Sequence, residues 1–411
     1  MVSPNRLGHL LYQWDRKTNR YIVTVKADST GRMGRIGCFQ LRERTEFEKG
    51  EKTQELIGPN REKALSLGKR LFGIIRTMKT KAEIINSWSL TEFESALYEQ
   101  YPSILRTLLK DHTTGKSIVW ATSSHLEFGV PFGADKQLDP STVTFGKRNF
   151  LKPRVQKSQA AQTARTKDKA EVFTPSWVCN MQNNLVDDAW LENQNSFNVG
   201  DFGSWQTSTD PIHFPAGKTW KDYVADIRLE ITCGEAPYLV SRYDTVSGEK
   251  IELKDRIGLL DRKFRVINEN AKSDQTWNAS VIKAYESTYG YEYQGDNLFL
   301  ARENLLFTYI EYFFDRFGRF PSQKQLSRIA EIISWNIWQM DGLTNCLPFS
   351  KPVKLFEQLA LSFEEDEDGV TFIEDSDLFD SGDSPYCLIA DWTNKTNGKP
   401  EIIEFRSLLN R

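Results

Sequence analysis

Four short stretches bring together side chains able to handle a polar ligand. In RTKDKAEVFTPSWVCNMQNNLVDDAW, Ala170 to Phe173 reads as an extended entry, Thr174 as an N-cap and Pro175 as the first helical residue, with Val178, Met181, Leu185 and Ala189 recurring at helical spacing. The start of such a helix offers free backbone N–H groups to a carboxylate or phosphate. In DIRLEITCGEAPYL, Asp226 to Leu239, an apolar strand runs into a turn at Cys233-Gly234-Glu235-Ala236 and then toward a helix. In YGYEYQGDNLFLARENLL, Tyr289 to Leu306, a strand ends near Glu292 and a helix starts at Asp296-Asn297. In IAEIISWNIWQMDGL, Ile329 to Leu343, a further strand ends at Asp341. In open α/β sheets, ligands lie outside the carboxyl ends of the strands. There Glu292 is suited to two ribose hydroxyls and Asp341 to an adenine amino group.

These stretches need a scaffold, and the chain is long enough to build one. It has 411 residues, 39% hydrophobic and 27% charged, which allows a sizeable core and suggests two or three domains. The formal charge is -3, from 53 basic and 56 acidic residues, so the molecule as a whole is no general polyanion binder and any nucleic-acid contact must come from a local patch. No apolar run reaches the ~20 residues of a spanning helix, and MVSPNRLGHLLYQWDRK carries charges where a signal peptide is apolar. The expectation is a soluble, cytoplasmic protein with no membrane partner. Five cysteines (Cys38, Cys179, Cys233, Cys346, Cys387) and four histidines (His9, His112, His125, His213) are scattered without metal-ligand spacing, against a disulfide framework or a structural zinc site.

The chain divides, on pattern, into three parts. Residues 1–145 read as a small mixed α/β domain, with a strand at YIVTVK (Tyr21 to Lys26), a helix at Arg61 to Met78 and an apolar run at Ile118 to Thr122. Residues 146–169 read as a basic linker or arm, in which Lys147, Arg148, Lys152, Arg154, Lys157, Arg165, Lys167 and Lys169 face only Asp168. That arm is either a soluble connector or a DNA contact whose affinity falls steeply with salt. Residues 170–411 form the remaining domain, interrupted by an acidic run, Glu364 to Asp383, with ten acids and no base, read as a solvated loop.

Taken together, the order and wording of the four stretches resemble the gamma-class adenine-N6 DNA methyltransferases, the modification subunits of bacterial restriction-modification systems. AEVFTP is similar to that family's FTP or YTP motif, LEITCGEAPYL to its cofactor strand and loop, YGYEYQGDN to the strand with the ribose acid, and NIWQMDGL to the strand with the adenine-contacting Asp. The likeness spans Arg165 to Leu343. It implies a Rossmann-like, S-adenosylmethionine-dependent methyltransferase fold behind the N-terminal domain. It also implies S-adenosylmethionine held by Phe173, Thr174, Pro175, Thr232, Cys233, Gly234, Glu235, Glu292 and Asp341, and a restriction-modification or phage-defence setting with DNA and a second subunit as partners.

The sequence departs from that family in three places. Ile231-Thr232 stands where the family has P-A, and Ala236 replaces its second glycine. The interval from Cys233 to Glu292 exceeds one crossover helix, so Arg242 to Tyr285 holds an insertion. The family's N/D/S-P-P-Y/F/W tetrapeptide, which grips the flipped base, is missing, and the nearest string is Asp383-Ser384-Pro385-Tyr386. No catalytic residue is therefore assigned. The chain ends too soon after Tyr386 for a target-recognition domain, which suggests an enzyme half completed by a partner. The alternative is a non-catalytic module that senses DNA or cofactor on the same fold. A third reading is a magnesium nuclease built on Asp244 and Glu252-Leu253-Lys254, against which stands a plain hairpin turning at Val246-Ser247-Gly248.

Overall fold

The computed structural model describes residues 10–15, 20–26, 33–39, 90–144, 151, 153, 174–350, 364–366, 369–371 and 386–409. The chain forms two compact units, Met1–Met78 and Lys79–Arg411. In the first, β1 (Leu10–Asp15), β2 (Arg20–Lys26) and β3 (Met33–Phe39) make an antiparallel sheet in chain order. β2 contains the alternating YIVTVK stretch. The helix expected at Arg61 to Met78 lies outside the described residues.

The second unit is mixed α/β. Its first described elements are α1 (Leu90–Gln100) and α2 (Pro102–Leu109), followed by extended chain at 117–120. Next come α3 (Ser176–Leu191), the hairpin β4 (Asn198–Asp201) and β5 (Ser204–Thr207), and the short α4 (Trp220–Ala225). The centre is a parallel sheet of β6 (Arg228–Glu230), β7 (Thr288–Glu292) and β8 (Ile337–Gln339), in that spatial order. α5 (Leu259–Asn270) and α6 (Asp274–Glu286) join β6 to β7, while α7 (Gly295–Phe317) and α8 (Gln323–Asn336) join β7 to β8. Two antiparallel pairs follow, β9 (Glu364–Asp366) with β10 (Gly369–Thr371), and β11 (Leu388–Thr396) with β12 (Lys399–Glu404).

α7 is the hub. Its sequence is apolar around most of its circumference, and it is buried almost without interruption from Gly295 to Phe313, including the polar Asn297, Asn304 and Glu311. Within it, the fully buried Arg302 donates to the carbonyls of Leu108, Lys110, Ser334 and Ile337, tying the end of α2 and the α8–β8 junction to one guanidinium.

The expected boundary at residue 145 is corrected by this packing, since residues 90–144 belong with the parallel sheet. Gln339 pairs through its side-chain amide with both the N–H and the carbonyl of Val119. The Gly295 N–H reaches the Trp120 carbonyl, and a Cβ at Gly295 would stand 2.0 Å from the Val119 oxygen, so only glycine permits this approach. Arg242 pairs with Glu94, and the Tyr98 hydroxyl donates to Glu303. None of these partners is close in sequence, and pattern reading had no means of joining them.

Candidate functional site

The carboxyl ends of β6, β7 and β8 converge because the strands are parallel and in register, Glu230 beside Gly290 and Glu292 beside Gln339. Beyond β6 the chain folds back through Thr232, Gly234 and Ala236, all with positive φ (46°, 55° and 64°), so the turn alternates in hand at every second residue. No helix starts at Pro237 as the pattern suggested; turns continue to Leu239, and the next α-helix is α5. The region between Arg242 and Tyr285 holds both the excursion and the two helices of the crossover.

The loop is pinned to β7. The Cys233 N–H donates to the Tyr291 carbonyl at 2.8 Å, and the Gly234 N–H to Glu292 Oε2 at 2.9 Å. The other carboxylate oxygen of Glu292 accepts the Gln294 N–H at 3.0 Å. Glu292 is thus a buried acid that fixes both its own strand end and the neighbouring loop. Asp341 stands just past β8, half-buried, its carboxylate accepting the Leu343 N–H at 2.9 Å and its backbone bridging to Cys346. Tyr293 lies between these two acids in the chain and packs edge-on against the exposed Phe349.

The remaining expected residues are distributed differently. Thr232 is exposed at the turn, whereas Glu235 is buried, its carboxylate accepting a hydrogen bond from the Tyr243 hydroxyl at 2.6 Å and its carbonyl one from the Asn304 amide. The N-cap expectation is corrected: α3 starts at Ser176, and Pro175 stands at the cap position without a side-chain bond. Thr174 precedes a proline and is held extended, so its hydroxyl is one residue too far out to cap. The Ser176 N–H at the helix start is taken instead by Asp244 Oδ2 at 2.8 Å, and the Thr174 carbonyl by the Thr245 hydroxyl. Phe173 lies outside the described residues, as do all eight basic residues of the arm and Asp383 to Pro385.

Two residues that sequence reasoning passed over complete the geometry. Glu230, the last residue of β6, accepts the N–H groups of Tyr238 and Leu239 and so closes the loop from its far side. It carries the same signal as Glu292, an acid ending an apolar strand. Tyr238 links the loop to α3 through its hydroxyl bond to Gln182. Burial raises the Glu230 carboxyl well above the usual range, and nearby Glu292 adds to the effect. Burial, then Glu230 and Glu292, push the Cys233 thiol up as well, so it stays protonated and is no nucleophile.

Tyr386, the aromatic of the nearest catalytic-like string, is only 9% exposed. The Arg406 guanidinium stands 3.5 Å above its ring centroid, which occupies the face a flipped base would need. Its backbone bridges to Cys346, and Cys387 beside it donates to the Gln339 carbonyl, so it belongs to the β8 side of the sheet. Asp244 of the nuclease reading spends its carboxylate on the N–H groups of Ser176, Val246 and Ser247. Among the described residues no group of His, Cys, Asp and Glu could hold a metal ion, and no helix is long and apolar enough to cross a membrane. No protein-family model matches this chain, and neither does any curated protein or solved structure.

Proposed function

We propose that the chain is an adenine-N6 DNA methyltransferase-like subunit of a restriction-modification or phage-defence system, which binds S-adenosylmethionine at the carboxyl ends of β6, β7 and β8 and needs a partner for methyl transfer. The observation that carries this reading is the bond from the Gly234 N–H to Glu292. It joins the two sequence stretches that resemble the cofactor loop and the ribose acid, 58 positions apart, at adjacent ends of a parallel sheet. Asp341 at the next strand end supports an adenine contact in the same row. In this reading the methionine part lies against Thr232 to Gly234, with Thr174 and Pro175 leading into the helix beside them. The basic residues between Lys147 and Lys169 serve the DNA phosphates.

The alternative, a non-catalytic module that senses DNA or cofactor, is favoured by one observation, the Tyr386 ring covered by Arg406. Calorimetric titration with S-adenosylmethionine and S-adenosylhomocysteine, followed by a tritiated-methyl assay on duplex DNA, separates the readings. Binding without transfer by the chain alone is expected. Gly234→Val, which adds bulk where a Cβ meets open space but costs about 1–2 kcal/mol at a positive φ, should weaken binding at least ~10-fold while unfolding stays cooperative. Failure of the unsubstituted protein to bind either compound overturns the cofactor site. Methyl transfer without a partner overturns the half-enzyme reading.

A further inference from the structure

The parallel sheet ends abruptly at β6. Among the described residues no strand pairs with its outer edge, and the side chains on one face of this stretch are apolar and exposed: Ile227 at 54%, Leu229 at 41% and Ile231 at 64%. The Arg228 N–H donates to Ser287 on the β7 side, so by the alternation of a strand the N–H and carbonyl of Leu229 point away from β7, toward the open edge. A row of unpaired backbone groups flanked by apolar side chains is a template for another strand.

We infer that this edge pairs with the same edge of a second copy of the chain, antiparallel about a two-fold axis at Leu229, joining two three-stranded sheets into one. The sequence Ile227-Arg228-Leu229-Glu230-Ile231 is complementary to its own reverse. With Leu229 opposite Leu229, each Ile227 faces an Ile231 and each Arg228 faces a Glu230. A slide of two residues along the strand in one direction sets Arg228 against Arg228, and like charges directly opposite are destabilising; a slide in the other sets Arg228 against Thr232, where the positive φ of the turn has ended the strand. Arg228 and Glu230 lie on the inner face, where Arg228 already holds Asp187 and Asp226 and Glu230 holds the loop amides. Their positions are therefore fixed before the copies meet. Within β6 the outward N–H and carbonyl groups are those of Leu229, which is the hydrogen-bonded pair of that register. The apolar side chains of both copies then form one continuous strip. A two-fold pairing also closes on itself, whereas a parallel, head-to-tail addition would leave a further edge open. The inference adjoins the loop of the candidate site at Glu230 but does not depend on the cofactor reading.

The test is sedimentation velocity of the full chain across micromolar concentrations, together with directed crosslinking. A species of twice the mass of one chain is expected. Leu229→Lys should weaken its formation by roughly 100-fold, since two ammonium groups then meet at the axis. Leu185→Lys, a change of the same kind at an exposed position on α3, should leave it intact. Leu229→Cys should give a reducible covalent dimer under mild oxidation, because hydrogen-bonded antiparallel pairs set their Cα atoms about 5.5 Å apart, within disulfide reach. Leu185→Cys should not. A chain that stays monomeric throughout, or a dimer indifferent to Leu229→Lys and without the Leu229→Cys crosslink, overturns the inference.

Discussion

The two outer strands of the parallel sheet are alike in length and opposite in circumstance. β8 is buried along its whole length, and the chain around it is tied down from several sides: Gln339 to Val119, Cys387 to the Gln339 carbonyl, and Trp392 to Asn336 at the α8–β8 junction. Among the described residues β6 is bonded to β7 on one side only, and Leu229 is 41% exposed although its partner Tyr289, on the same face, is covered and bonded to Ala390. A strand gains most of its stability from what covers it. The β8 side is where the second unit is cemented together, and the β6 side is, among the described residues, held through β7 alone.

Substitutions should expose that asymmetry. Arg302→Met strands four buried carbonyls around α2 and β8, so a loss of about 3–5 kcal/mol in urea unfolding is expected. A loss near zero would mean the β8 side is not held as described.

A second probe on that side is pH. His112 stacks on Trp335 with ring centroids 3.7 Å apart and bonds Ser334, and burial lowers its pKa from 6.5 to about 3. The folded chain thus keeps the ring neutral where the unfolded chain protonates it. This contribution is fully present above pH 6.5 and is lost progressively as pH falls from 6.5 toward about 3. His112→Phe should flatten the stability profile over that window, and an unchanged slope would remove His112 from the account. Ile227→Thr on the β6 side should shift the unfolding free energy of dilute protein by no more than about 0.5 kcal/mol, and a large loss would show that this edge is covered after all.

Much of the local structure was legible from pattern. The YIVTVK stretch lies in β2, and the strand-turn-helix at Tyr289 became β7 and α7, because both are short-range signals. IAEIISWNIWQM was harder. A continuous apolar run suits either a buried helix or a buried strand, and the chain changes from one to the other at Asn336, whose side-chain amide bonds the Tyr285 and Thr288 carbonyls. Of the candidate site, the strand-end acids could be read directly, but Glu235 could not. It follows Gly234 at the exposed turn, yet its side chain is drawn inward by Tyr243 and Asn304.

By itself, then, the sequence determined some of the elements, among them β2, β7 and α7, where charges accumulate, and which acids end apolar strands, since those depend on periodicity and on neighbours a few residues away. Only the tertiary structure decided that residues 90–144 belong with the sheet, that the Gly234 amide meets Glu292, that Asp244 caps α3, and that Arg406 covers Tyr386. Each of these is a pairing between segments far apart in the chain, and a hydrogen bond or a buried contact at such range is set by the packing of the whole rather than by any local propensity.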